Sequence, residues 1–403
     1  MSFEIALSGI NAINTSLDTI SNNIANAGTY GYKSSRANFA SIYAGDQPMG
    51  TEISSITQNI DKRGPVSNTG RAMDAMIQGR GFFTTRDHTG SIFYTRVGLF
   101  GVDKDGYVVD SFGNRVQGYA AVPGSTALGP MGDMQVPTGQ IAAQASDRLQ
   151  YVGNLSADWT APAVAPFDPA EPQSFNSSVV SVVYDSRGSQ HSVTQYFVRS
   201  SVNPNEVTVY YTFDGTIVES TPGSPVSHTL TFGTDGRLTA PAGPVSVSLG
   251  TPSGADPLAI NIDYAGTTQF AGEATTSRNT ANGYPAGVHT GIRIESDGAI
   301  LAEYSNGQRQ QIGTVALAIF PNEGALQPVS DTSWISTNAS GNPLYFAPGS
   351  GIVGTLTVGV LEQSNVDIAT ELVDLMFAQR NYQANTKVIQ TADKVIQSLM
   401  QAV

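Results

Sequence analysis

The feature that most constrains this chain lies at its two ends. From Phe3 onward apolar residues fall at Phe3, Ala6, Ile10, Ile13, Leu17, Ile20, Ile24 and Ala27. The steps alternate three and four without a miss, which is the seam of a helix that packs lengthwise against another helix. Near the other end Ile368, Leu372, Leu375, Tyr382, Ile389, Ile396 and Met400 keep the same period, interrupted by Gln379, Thr386 and Asp393. The first proline is Pro48 and the last is Pro348, so neither end carries the residue that most reliably breaks a helix. Two such seams, one at each extreme, point to a subunit that assembles through its termini.

The middle is built differently. At 403 residues the chain is long enough for roughly two to four domains. Only 13% of its residues are charged, and Ser, Thr, Asn, Gln and Gly take their place. From Gly70 the apolar period changes to two, with GRGFFTTRD, SIFYTRVGLFGVD and YVVDSFGNRVQGY reading as strands joined by tight turns. Asp105-Gly106, Asp235-Gly236 and Asp297-Gly298 each stand between apolar runs and mark hairpins. Residues 122–144 and 266–287 are weak in periodicity and rich in Gly, Pro, Ser, Thr and Ala, so they read as linkers.

The expected fold is therefore multidomain and mainly β, with α-helical coiled-coil termini and nested, discontinuous β-domains. Residues 1–29 and 361–403 would form the terminal helices of an inner coiled-coil domain. Residues 30–69 would be an irregular, extended connecting segment, with a short strand in TEISSITQNI. Residues 70–145 and 282–360 would make an inner β-domain, into which an outer β-domain, 146–281, is inserted.

Several function classes are disfavoured. A net charge of −13 argues against nucleic acid, whose phosphates need basic patches. With no cysteine there is no disulfide, zinc–thiolate site or cysteine nucleophile. His88, His191, His228 and His289 have no metal-ligand spacing. GVDKDG resembles the start of a calcium loop, but Gly101 and Phe112 stand where that loop needs ligands. No catalytic residue, cofactor or metal is nominated, and the chain is not expected to be an enzyme. No apolar run approaches the roughly 20 residues of a membrane helix, so no membrane insertion is expected. MSFEIALSGI has no basic n-region and carries Glu4, so it is not read as a cleavable secretory signal.

Three blocks carry a family resemblance. SNNIANAGTYGYKSSRANF, residues 21–39, resembles the signature of the rod and hook proteins of the bacterial flagellum. NTGRAMDAMIQGRGFF, residues 68–83, with YTRVGLFGVDKDGYVVDSFGNRVQGY, residues 94–119, resembles the second block of that family. LEQSNVDIATELVDLMFAQRNYQANTKVIQTADKVIQSL, residues 361–399, is similar to its closing helix. VVYDSRGSQHSVTQYFV and NGYPAGVHTGIRIESDGAILAEYSNGQ resemble the hook members in particular, whereas residues 145–180 and 200–265 match only loosely. The resemblance implies an extracellular homo-polymer, a flexible curved tube that acts as a universal joint and passes torque from rod to filament. It further implies export by the flagellar type III apparatus. The implied partners are the distal rod protein, the hook cap, the hook–filament junction protein and the hook-length control protein. A distal rod protein, or a secreted β-rich adhesin, remains as an alternative.

The residues expected at the assembly interface follow from the seams. They are Ile10, Ile13, Leu17, Ile20 and Ile24 with the flanking Asn22, Asn23 and Asn26, and Leu372, Leu375, Arg380, Asn381, Tyr382, Ile389 and Ile396. The bland reading is an ordinary core face for the aliphatics and a solvated face for the polar residues. Because an isolated helix of this length is marginal in water, the tails are expected to order only when packed.

Overall fold

The computed structural model describes residues 2–402 apart from Pro123, Thr126 and Thr138. Met1 and Val403, at the outer edges of the expected terminal segments, lie outside the described residues, as do those three positions of the expected linker and β-domain. The chain forms two compact units. One comprises Met1–Thr138, Thr290–Glu303 and Arg309–Val403, and the other Gly139–His289 and Tyr304–Gln308.

The first unit begins with helix α1, Ser2–Ala25. The expected helix reached Ala27; the last turn instead tightens, with Ala27 N–H donating to the Ile24 carbonyl at 3.2 Å. The stretch expected to be irregular is a long antiparallel hairpin. Strand β1, Ser35–Ala44, pairs with β2, Gln47–Gln58, through two register shifts. These shifts break the alternation that would have marked the strands, so only the second was visible in sequence, and only in part. A short strand β3, Val66–Asn68, pairs with Val360–Glu362. The last element is helix α2, Ile368–Ala402.

Between β3 and α2 lies a sheet whose hydrogen-bonded path runs Arg309–Val315, Arg115–Ala121, Phe82–Arg86, Ile92–Thr95, Ser333–Ile335 and Gln327–Val329. Strands from two distant stretches of sequence thus share one sheet, three from the first stretch flanked on both sides by strands from the second. The pairings along this path are antiparallel. One core cluster is aromatic: Phe82 meets Trp334 edge-on at 5.4 Å, and Tyr94 meets Phe320 at 4.7 Å. Edge-to-face geometry aligns the positive ring edge with a negative face and adds to plain burial.

The second unit is a two-sheet sandwich. One sheet contains Ser177–Tyr184, Gln190–Arg199, Glu206–Phe213, Ser227–Phe232 and Leu238–Ala240; the other contains Val245–Gly250, Leu258–Asp263, Arg148–Asn154 and Thr275–Ala281. Val247, Ile260 and Ile262 on one sheet and Val193, Phe197, Val209 and Tyr211 on the other share a single core. Within it Tyr264 donates to Gln195 Oε1 at 2.7 Å, and the Tyr211 and Tyr264 hydroxyls stand 3.1 Å apart, so the buried polar tips satisfy one another.

The expected linkers are corrected by this arrangement. Residues 122–144 contain the strand Leu128–Asp133, and 266–287 contain Thr275–Ala281, which pairs with Arg148–Asn154. The second of these, TTSRNTA, is largely exposed, so no apolar alternation announced it. Ile141 also bridges Gly287, and Gln144 bridges Tyr284. The second unit thus starts and ends several residues outside the 146–281 expected for the inserted domain.

One polar cluster of the sandwich is pH-sensitive. His191 Nδ1 lies 2.6 Å from Asp214 Oδ2, and Nε2 lies 3.4 Å from Asp185 Oδ2. Burial favours the neutral ring, but the two carboxylates outweigh it and hold the pKa above its ordinary 6.5. Burial also opposes ionisation of Asp185 and Asp214, yet hydrogen bonds from backbone N–H groups and from His191 hold both below their ordinary value. A histidine raised on folding stabilises fully below its unfolded pKa, and that stability is lost as pH rises through the folded one. The two depressed aspartates contribute above their unfolded pKa and lose it on acidification. As pH rises above about 6.5, the ordinary histidine value, the His191 cluster should therefore lower the melting temperature of the sandwich. His191→Gln should flatten that slope, and calorimetry at several pH values measures it.

Candidate assembly interface

Helix α1 lies between two neighbours within its own unit, α2 on one side and the β1–β2 hairpin on the other. Against α2, Ile13 and Ile20 are buried with Ala378, while Leu17, Ile24 and Leu375 pack half-buried around them. Ile10 is half-buried as well. Against the hairpin the backbones approach closely. A Cβ at Gly50 would sit 2.0 Å from Ser8 Oγ, and the Gly50 φ of +117° is one that other residues rarely adopt. Ser8 Oγ also accepts a hydrogen bond from the Thr51 N–H at 3.2 Å.

The three asparagines beside the seam part company. Asn23 is 1% exposed and fully engaged within the chain. Its Nδ2 donates to the Ser35 carbonyl at 2.8 Å and to Glu371 Oε1 at 2.9 Å; its Oδ1 accepts from Ser35 N–H at 2.9 Å and from Tyr32 Oη at 3.2 Å. It joins α1, β1 and α2 and has no capacity left for a neighbouring subunit, the role weighed for it in sequence. Asn22 is exposed and Asn26 half-buried, and they bond to each other at 2.7 Å.

Helix α2 meets α1 on a line different from the expected stripe. Leu375 and Ile389 are half-buried, and the positions between them on this line are Ala378, buried, and Asn385, half-buried. Leu372, Tyr382 and Ile396 are exposed, at 47%, 38% and 52%. Arg380 and Asn381 are exposed too, and Asn381 lines a cleft of about 560 Å³ with Thr19, Phe39, Glu371 and Phe377. The small and polar residues on the inner line have a steric reason. At Gly9 a Cβ would lie 3.0 Å from Asn385 Nδ2, so the two helices approach too closely for large side chains there.

A second apolar stripe of α2 is left uncovered. Val373, Met376, Phe377, Val388 and Val395 are all between 43% and 56% exposed. They fall on one face, turned away from the Ala378–Asn385 line by the 3.6-residue period of the helix. Toward its end the face borders an open groove of about 750 Å³ lined by Phe3, Ala384, Val388, Ala392, Val395 and Ile396. Exposed apolar side chains gathered on one helix face are the kind of surface that protein contacts use.

The segments that follow α1 and precede α2 meet at a buried polar centre that sequence reading missed. Lys33 Nζ lies 2.6 Å from Glu362 Oε1, their side chains 0% and 2% exposed. Arg96, 4% exposed, places Nη1 4.0 Å from Glu362 Oε2 and lies over the Phe82 ring at 5.2 Å. Burial lowers the pKa of Lys33, and the Glu362 carboxylate opposes that shift. One lysine and one glutamate separated by 329 positions leave no local pattern to find.

With this geometry in view, comparison with known proteins decides the family. Residues 3–33 match the family described as flagella basal body rod protein, and 76–147 the flagellar hook protein FlgE/F/G D1 domain. Residues 154–284 match the flagellar basal body protein FlaE D2 domain, and 357–402 the flagellar basal body rod FlgEFG protein C-terminal family. The flagellar hook protein FlgE of Salmonella typhimurium is 36% identical over 405 residues, covering 99% of both chains. This chain belongs to the flagellar hook protein family. The Escherichia coli member is likewise 36% identical, over 407 residues and 99% of both chains. Among solved structures, Helicobacter pylori flagellar hook protein FlgE2 shares the fold with a TM-score of 0.53 at 13% identity, covering 72% of this chain and 98% of that one.

The asparagines give a direct test of the inner packing. Asn23→Ala strands the Ser35 and Glu371 groups it satisfies, and should destabilise the helical region by about 1–3 kcal/mol. Asn22→Ala should stay within about 0.5 kcal/mol of the parent. Melting followed by far-ultraviolet circular dichroism separates the two outcomes.

Proposed function

We propose that this chain is the structural subunit of the flagellar hook, a homo-polymer whose subunits are joined through the terminal helices. The observation that carries this reading is the uncovered stripe Val373, Met376, Phe377, Val388 and Val395. One helix cannot wrap another on two faces, so α1 leaves that stripe for a different chain. A polymer in which each subunit offers the same stripe satisfies the requirement by repetition. Full-length similarity to hook proteins supports the same reading. Among the described residues no helix is long and apolar enough to cross a membrane.

The division of labour follows from packing physics. A joint that turns while bent must lengthen on one side and shorten on the other in every revolution. Interdigitated apolar cores resist such sliding, whereas wet polar contacts exchange at small net cost. We assign cohesion to the helices and adjustable contacts to the sandwich, whose outward residues are largely Ser, Thr, Gly and Pro. The nested plan, with the sandwich inserted into a discontinuous β-domain and that domain between the helices, belongs to the same proposal. So do the rod, cap, junction, length-control and export partners implied by the family.

Two experiments test it. Phe377→Asp or Val388→Asp puts a carboxylate into the stripe, costing several kcal/mol per buried contact. Either variant should leave monomer helicity unchanged and abolish tubes in electron micrographs; normal tube yield would remove α2 from the interface. Replacing 149–280 by a short Gly/Ser bridge joins ends already adjacent, because Asn282 Oδ1 accepts from the Arg148 N–H at 3.0 Å. That deletion should still give tubes, with altered curvature; no tubes at all would place the sandwich in assembly itself.

A further inference from the structure

The residues flanking the buried Lys33–Glu362 pair depend on one another almost completely. On the N-terminal side, residues 29–34 and 59–68 lead into and out of the β1–β2 hairpin. Many of their backbone groups are satisfied by residues 359–366. Gly31 N–H donates to the Glu362 carbonyl at 2.8 Å, Gln363 N–H to the Pro65 carbonyl at 2.9 Å, and Asn365 N–H to the Tyr32 carbonyl at 3.3 Å. Asn365 Oδ1 accepts from Ser34 N–H at 2.7 Å, and its Nδ2 donates to the Asn59 and Lys62 carbonyls at 2.8 and 2.9 Å. Lys33 Nζ donates to that same Lys62 carbonyl at 2.9 Å, and Gly64 N–H to Glu362 Oε1 at 3.1 Å.

At the centre of this web the charges are unequal. Among the described residues, Glu362 is the one carboxylate within 4.0 Å of both Lys33 and Arg96, two cations that are almost wholly buried. Removing Lys33 leaves Glu362 facing Arg96. Removing the charge of Glu362 takes from Lys33 its ion-pair partner and leaves Arg96 with only the more distant Glu323 and Asp61 carboxylates, which is more costly. Glu362 comes from the C-terminal side of the chain, so Lys33 cannot be buried in balance until that segment has arrived.

We infer that residues 29–34, 59–68 and 359–366 order as a single all-or-none unit keyed by the Glu362 carboxylate. It is a lock that closes the junction between the helices and the β-sheet only when both ends of the chain are in place. Partial docking is excluded because each of the three segments holds hydrogen-bond partners of the other two, and because a half-formed centre buries unbalanced charge.

Hydrogen exchange read by mass spectrometry on the full-length chain tests the lock, with melting of the Gly139–His289 unit as the control for folding. In the parent the three segments should be protected to the same degree. Glu362→Gln keeps the shape and most hydrogen bonds of the side chain and removes only the charge. It should speed exchange in all three segments together by more than about tenfold. Lys33→Met should release the same three segments by a smaller factor, because Glu362 still meets Arg96. The lock is overturned if Glu362→Gln keeps parental protection, or if release is confined to 359–366. It is equally overturned if Lys33→Met exceeds Glu362→Gln, or if the parent shows unequal or no protection across the three segments.

Discussion

Helix α2 carries apolar side chains on two faces, and α1 can cover only one of them. The contact between the helices is close, with Gly9 against Asn385 and Ala378 buried beside Ile13 and Ile20. Close approach admits small residues on the inner line and sends the bulky ones, Phe377, Met376 and Val388 among them, to the other side. The molecule therefore separates what it needs for its own fold from what it offers to others. Within its unit, the hairpin and the junction residues hold this helical pair in place.

That holding is done by polar groups rather than by apolar ones. Asn23 ties α1 to β1 and α2 through four hydrogen bonds, and Glu362 ties β3, Lys33 and Arg96 together at the junction. Buried polar networks are weak sources of net stability but strong on geometry, since only one arrangement satisfies every member. A helical pair that must present its free stripe in a set direction gains from such a junction. The β units, by contrast, rest on ordinary alternation: in Val245–Gly250 every second residue is buried, and Leu258–Asp263 repeats the pattern.

Much of this was legible without coordinates, and the failures have physical causes. The seam of α1 was readable because a 3–4 alternation is a property of one helix and needs no partner to define it. Strands such as Ser177–Tyr184 and Glu206–Phe213 were readable because one of their faces is a core face. Thr275–Ala281 was taken for part of a linker because hydrogen bonds, rather than side-chain burial, hold it in its sheet. The β1–β2 hairpin was missed because its register shifts twice, which scrambles the period-two signal.

The class of the protein was readable from its residues alone: helical at both ends, β-rich between, free of cysteine, and akin to the flagellar rod and hook proteins. The first three follow from local periodicity and composition, which each stretch of chain carries alone; the kinship is what the resemblance of its motif blocks implies. Which face of α2 turns inward took the folded chain to settle, since its apolar residues support two overlapping stripes and the choice depends on how near α1 can come. It alone decided that Asn23 is internal while Asn22 is not, and that Lys33 is buried against Glu362. Those outcomes belong to pairs of residues far apart in sequence, and a pair has no pattern until the fold brings its members together.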